Sequence, residues 1–282
     1  MDMPKDRSYP PPPEALPVAV VDNHTHIEPG QWPQPAMTLD QQIQAATAVG
    51  VDRIIQVGCD LESARWTANT AVNHPAVLGA VAIHPNDAPR LLDRGQLDDA
   101  MNEITQLAST TSRIRVIGET GLDYYRTGPE GRAVQIQAFR DHIHLAKELG
   151  LAMQIHNREA HADVLEVLRE EGAPERTVFH CFSGDAAMAS WCAQNGWYCS
   201  FAGNLTYKSA DQLRAAVQVL PASLVLLESD APYLTPEPHR GRANAPFLTA
   251  LTMRLLATLM NLDLATACQQ ISANTEAVYG QW

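Results

Sequence analysis

The sequence predicts an α/β protein, a (β/α)8 TIM-type barrel forming a single domain over residues 18–282. Three observations predict it. Eight short strands, largely apolar on both faces, alternate with helical segments, the pattern of a parallel sheet covered by helices. The alternation fills about 250 residues, the usual length of such a barrel, and no linker or longer repeat divides it. Polar residues recur at the C-terminal ends of the strands, where barrel proteins concentrate their chemistry. A doubly wound open sheet is the alternative arrangement.

The first strand, Val18-Ala19-Val20-Val21, runs into Asp22-Asn23-His24-Thr25-His26. Side chains alternate faces along a strand, so Asp22, His24 and His26 share one face. Three titratable groups on a buried face need compensation, and a divalent metal ion supplies it, since imidazole and carboxylate are its usual ligands. Thr38-Leu39-Asp40-Gln41 reads as a capping box opening a helix that ends at Gly50. A strand over 53–58, a helix over 61–73 and a strand over 77–83 follow, the last closing on His84-Pro85. A helix over 97–109 precedes the strand 115–118, which leads into Glu119. Residues 132–149 form a long helix stopped by Gly150. The strand 151–155 ends in His156, a helix covers 160–171, and the strand 177–179 ends in His180 with a helix after Asp185. A strand over 197–201, a helix over 210–219 and a strand over 224–227 arriving at Glu228-Ser229-Asp230 complete the alternation. Apolar helices from Phe247 and from Leu264 finish the chain.

Hydrophobic residues make up 45% and charged residues 18%, an ordinary globular balance, and no apolar run approaches the roughly 20 residues a bilayer requires. Residues 1–17 carry no apolar signal core; their Pro10-Pro11-Pro12-Pro13 run predicts a solvated, extended, flexible leader outside the barrel. Five cysteines, odd in number and without C-x-x-C spacing, fit a reduced cytoplasmic protein rather than a disulfide scaffold. Cys181 alternates away from His180 and is expected in the core. A net charge of −12 opposes tight non-specific duplex binding, although bound cations can locally reverse the sign of a cleft. No membrane and no obligate protein partner are expected.

His24 and His26 end the first strand, and Glu119, His156, His180 and Asp230 end the fourth, fifth, sixth and eighth. Singly, each has a structural explanation: a core histidine, a loop carboxylate, a helix cap. Together, at the same end of five strands, they point to a metal centre. The set resembles the amidohydrolase superfamily of metal-dependent barrels, and more narrowly the TatD family of metal-dependent deoxyribonucleases. The matching blocks are Asp22-Asn23-His24-Thr25-His26, Ile83-His84-Pro85, Gly118-Glu119-Thr120-Gly121-Leu122-Asp123-Tyr124 and His156-Asn157-Arg158-Glu159-Ala160. They continue with His180-Cys181-Phe182-Ser183-Gly184, Glu228-Ser229-Asp230-Ala231-Pro232-Tyr233, Arg240-Gly241-Arg242-Ala243-Asn244 and Asn274-Thr275, spanning about Val18 to Gly280. Ala82 and Tyr279 depart from the family pattern without touching an expected ligand.

The resemblance implies two divalent ions (Mg, Mn or Zn) held by His24, His26, Glu119, His156, His180 and Asp230, with Glu119 bridging them. A carboxylate with two oxygens suits a bridge better than an imidazole. Asp230 stands where a general base would accept a proton from water, giving a hydroxide that attacks a phosphodiester. His84, Arg158, Lys208, Arg240 and Arg242 are candidates for phosphate contact, because guanidinium and ammonium groups pair with phosphate oxygens. Tyr124, Tyr125 and Tyr233 could stack bases or simply pack their loops. The implied activity is deoxyribonuclease action on DNA, 3′ to 5′ from the ends of single strands. Two other functions are weighed against it. A metal-dependent acyl hydrolase, such as a D-aminoacyl-tRNA deacylase or a lactonase/amidase, would use the same ligands. A barrel retained only for binding would tolerate loss of a ligand, and none is lost.

Overall fold

A computed structural model describes residues 8–30 and 37–282. The strands are β1 (Val20–Thr25), β2 (Val51–Gly58), β3 (Val77–Val81), β4 (Ile114–Asp123), β5 (Ala152–Arg158), β6 (Thr177–Phe179), β7 (Tyr198–Phe201) and β8 (Val225–Leu227). The helices up to β5 are α1 (Leu39–Ala48), α2 (Leu61–Asn73), α3 (Ala88–Asp93), α4 (Leu97–Thr110) and α5 (Pro129–Leu149). Those after it are α6 (His161–Glu171), α7 (Ala186–Gln194), α8 (Asp211–Val219), α9 (Thr249–Leu259) and α10 (Leu264–Tyr279). The sheet order is β1 through β8 in chain order, and β3–β4, β4–β5, β5–β6 and β7–β8 pair in parallel. This is the (β/α)8 barrel the alternation predicts. No single helix among the described residues is long and apolar enough to cross a membrane.

The chain groups into two compact units: the described residues through Ile55 with Gly184–Gln281, and Gln56–Ser183 with Trp282. In the first, β1 lies beside β8. Asp230 N–H donates to His24 O at 3.0 Å, His26 N–H to Ala231 O at 2.7 Å, and Asn23 Nδ2 to Leu227 O at 2.7 Å. Val20, Val21, Leu226, Leu227, Ile271 and Tyr279 form its apolar interior, none more than 1% exposed. Thr38 caps α1 by the expected reciprocal box with Gln41. Gly50 then turns the chain at φ 83°, where a Cβ would meet Leu16 at 3.1 Å, so both backbone and space ask for glycine.

In the second unit the apolar β3–β6 strands pack against α2, α4, α5 and α6, and α5 ends at Gly150 in the left-handed conformation (φ 60°), as its sequence predicts. Fully buried His142 of α5 ties β4 and the segment following β3 to this helix. Its Nε2 accepts from Ile83 N–H at 3.2 Å, while Nδ1 lies 2.7 Å from Ala138 O and 3.0 Å from Thr120 Oγ1. The network assigns the proton to Nδ1, donating to the Ala138 carbonyl, which leaves a neutral ring with both nitrogens used. Burial pushes this imidazole down to about 4, the Ala138 carbonyl opposing. The unfolded chain therefore binds a proton near pH 6.5 that the folded chain refuses until about pH 4. The His142 contribution to stability is full above pH 6.5 and falls by up to about 3 kcal/mol as pH drops to 4. H142Q should flatten that window of a denaturant-midpoint profile; an unchanged slope would place the titration elsewhere.

Several features differ from the sequence reading, and β5, expected over 151–155, continues through His156 to Arg158. β4 does not end before Glu119 but continues through it to Asp123, with a register irregularity between Ile117 and Thr120. The short helix α3 has no capping side chain and was not expected. Cys181 is half-buried rather than core: β6 stops at Phe179, and φ of 40° at Cys181 ends the strand alternation. All five cysteines are free thiols. Of the expected leader, residues 1–7 lie outside the described residues, and from Ser8 onward the segment is seated on its own unit as described below.

Candidate metal clusters

Each unit carries one group of imidazole and carboxylate donors. In the first, the strand alternation of β1 delivers His24 (0% exposed) and His26 (8% exposed) to one place, their Nε2 atoms 3.2 Å apart. Two nitrogens bound to one zinc at about 2.0–2.1 Å in tetrahedral geometry would lie about 3.3 Å apart, so the pair is already at chelating separation. Asp230 Oδ1 stands 3.7 Å from His26 Nε2 and 4.0 Å from His24 Nε2. The backbone reaches this position through a left-handed residue, φ 51° at Asp230, a conformation that aspartate and asparagine tolerate better than most.

Asp22, which shares a face with the two histidines in the sequence, has a different task. Its carboxylate accepts from Ser229 N–H at 2.8 Å, from Ser229 Oγ–H and from His24 N–H at 3.3 Å. Complete burial pushes its carboxyl up to about 8, the Ser229 contacts opposing. Asp22 thereby clamps the residue before Asp230 to β1. The period-two pattern predicted its face but not this partner.

In the second unit, the irregularity in β4 turns the Glu119 carboxylate onto imidazoles from the two following strands. Glu119 Oε1 meets His156 Nδ1 and lies 2.7 Å from His180 Nε2 and 3.7 Å from His84 Nε2. Ligand atoms of His84, Glu119 and His156 all lie within 4.8 Å of one another. Register explains the meeting: Gly121 pairs with His156 and Ile155 with Phe179, and His180 N–H donates to Ile155 O at 3.2 Å. A Cβ at Gly121 (φ 133°) would fall 2.1 Å from His156 O, so only glycine permits this pairing. Burial favours the neutral acid at Glu119, but the charges of His180, His156 and His84 outweigh it and hold the carboxyl well below the usual range. Burial likewise lowers His156, and Glu119 with Asp123 more than reverses it.

Asp123, also on β4, was not expected at the site. Its Oδ2 lies 3.3 Å from His156 Nε2, and it accepts from Asn86 Nδ2 at 2.9 Å and from Tyr125 and Arg126 N–H at 3.0 and 2.9 Å. Burial raises this carboxyl and the donors pull it far below its ordinary value. Holding the second ring nitrogen of His156 in this way sets the ring orientation. Cys59 also reaches the cluster, its thiol donating to Glu119 Oε2 at 3.5 Å. The signal for Asp123 was present, since Glu119, Gly121 and Asp123 alternate along one strand.

The donor sets fit divalent metals. Each combines neutral-capable imidazoles with a carboxylate, largely withdrawn from solvent, the chemistry that selects transition-metal or magnesium-group ions rather than monovalent ones. Of the expected phosphate contacts, His84 sits within the Glu119 cluster. Arg158 packs its guanidinium 3.9 Å over the Tyr125 ring, and Arg240 lies 4.2 Å over Tyr207. Arg242 donates to Ser8 Oγ and Tyr9 O, and Lys208 is exposed.

Imidazole–carboxylate clusters on and just beyond the strands of a (β/α)8 barrel have the donor chemistry that metal-dependent hydrolases use. Residues 21–280 match the family model described as TatD related DNase. A Mycobacterium tuberculosis protein described as an uncharacterized metal-dependent hydrolase TatD is 42% identical, covering 93% of this chain and 98% of its own length. The Bacillus subtilis uncharacterized metal-dependent hydrolase YabD is 32% identical over 92% of this chain and 98% of its own. The crystal structure of the Escherichia coli TatD homologue YJJV superposes with a TM-score of 0.84 at 24% identity, covering 93% of this chain and 98% of that one. The chain belongs to the TatD family of metal-dependent hydrolases.

Proposed function

We propose that this protein is a cytoplasmic deoxyribonuclease that hydrolyses DNA phosphodiester bonds, removing nucleotides 3′ to 5′ from single-stranded ends. His24, His26 and Asp230 hold one divalent ion, and Glu119, His156 and His180 hold another. Such ions supply an acidified water and charge stabilisation at phosphate. Asp230, at the edge of its cluster with 13% of its side chain exposed, accepts the proton of the attacking water. Asp123 holds His156 in orientation, and the imidazole of His84 faces the phosphate beside Glu119.

The observation that carries phosphate over a neutral acyl substrate is Arg158. It lies on β5 two residues beyond His156, stacked on Tyr125, and offers a planar cation next to the Glu119 cluster. A small amide or lactone has no use for it, and the polyanionic D-aminoacyl-tRNA is told apart by direct turnover. R158A should raise KM for DNA several-fold, leave kcat within about twofold and reduce the salt slope by about one. An unchanged slope would return Arg158 to loop packing. The discriminating experiment incubates the metal-loaded enzyme with single-stranded DNA, D-aminoacyl-tRNA and a lactone side by side. Turnover of DNA alone supports the proposal; turnover of an acyl substrate with DNA untouched replaces it with the acyl hydrolase.

A further inference from the structure

The Pro-rich segment ahead of β1 lies outside the stretch matched by the family model, and none of the candidate metal donors comes from it. Yet its described part is firmly seated. Arg242 Nη2 donates to Ser8 Oγ at 2.7 Å and Tyr9 O at 2.9 Å. Arg254 Nη2 donates to Glu14 O at 2.9 Å and Ala15 O at 3.2 Å. Leu16 N–H donates to Val49 O at 3.0 Å, and its side chain is buried against Gly50. Between these anchors Pro10 is buried and the Tyr9 ring sits 6.3 Å from that of Phe247. Consecutive prolines are stiff and lose little entropy on docking, which suits a strap rather than a tail.

The strap passes beside a candidate metal ligand. Tyr9 lines a cavity of about 20 Å³ together with His26, Met37, Gln42 and Asn244. That volume holds about one water molecule. Sites that take a nucleotide-sized group run to several hundred Å³. The cavity between the strap and His26 therefore holds a water molecule and not a nucleotide.

We propose that the segment Ser8–Leu16 is a specificity-determining wall that closes the substrate cleft beside His26, with Tyr9 as its blocking side chain. A DNA strand then reaches the site by its end and cannot run past it. This rests on the deoxyribonuclease reading. It assigns Arg242 the task of latching the wall, through one terminal nitrogen, in addition to any phosphate contact.

The test compares a closed single-stranded DNA circle with a linear strand of the same sequence, with Mn²⁺ or Mg²⁺ supplied. Wild type and Y9F should shorten the linear strand and leave the circle at background. Y9A should process the linear strand within about threefold of wild type and cut the circle at least about tenfold faster than wild type does. R254Q, which loosens the strap far from His26, provides a second route to the same gain should Y9A not fold. An intact circle in both folded variants, or a wild-type enzyme that cuts circle and linear strand equally, would overturn the wall. Failure of wild type to process even the linear strand would overturn the nuclease reading itself, and the wall with it.

Discussion

E119A should abolish turnover, lowering kcat at least about a thousandfold, and should release metal from the purified protein. The reason lies in its surroundings. Glu119 is 4% exposed and sits among His156, His180 and His84, whose charges keep it ionised against the cost of burial. Alanine removes the carboxylate that touches both His156 and His180 and leaves imidazoles facing one another. Metal analysis by inductively coupled plasma, alongside the rate, reads the result. Loss of two equivalents would give Glu119 the bridging role its family resemblance implies; loss of one would confine it to the His156–His180 cluster. Full activity with undiminished metal would remove Glu119 from the site.

D230N should behave differently. Asparagine is nearly isosteric and, like aspartate, tolerates the left-handed backbone at this position (φ 51°), so the fold should persist. It retains an oxygen donor toward His24 and His26 but cannot take up a proton. The expected result is a kcat lower by about 10²–10⁴-fold with KM within about threefold, and loss of the acid limb of the pH–rate profile. A near-normal kcat would show that the proton goes elsewhere.

The candidate donors were legible because each follows from a local rule. The alternation of β1 predicted that His24 and His26 share a face, and short apolar strands pointed to the histidines and carboxylates that follow them. The Thr38–Gln41 capping box and the Gly150 stop were equally local, and both stand in the structure. What was not legible depends on partners distant in sequence. The irregularity that carries β4 through Glu119 arises from pairing with β5, where Gly121 must lie against His156. Asp22 closing on Ser229, over a separation of 207 residues, and Asp123 closing on His156 are consequences of strand register rather than composition. The proline run showed an extended segment, but its seating depends on Arg242 and Arg254, more than 230 residues away.

The most direct test follows end-labelled single-stranded DNA with metal-stripped enzyme, with the same enzyme after addition of Mg²⁺ or Mn²⁺, and with H156A under both conditions. Stepwise shortening of the strand by the metal-loaded enzyme, absent from the stripped enzyme and from H156A, is the predicted result, and label position reports the end attacked. Shortening that persists without metal, or in H156A, would contradict the metal-dependent nuclease, as would an untouched strand under every metal.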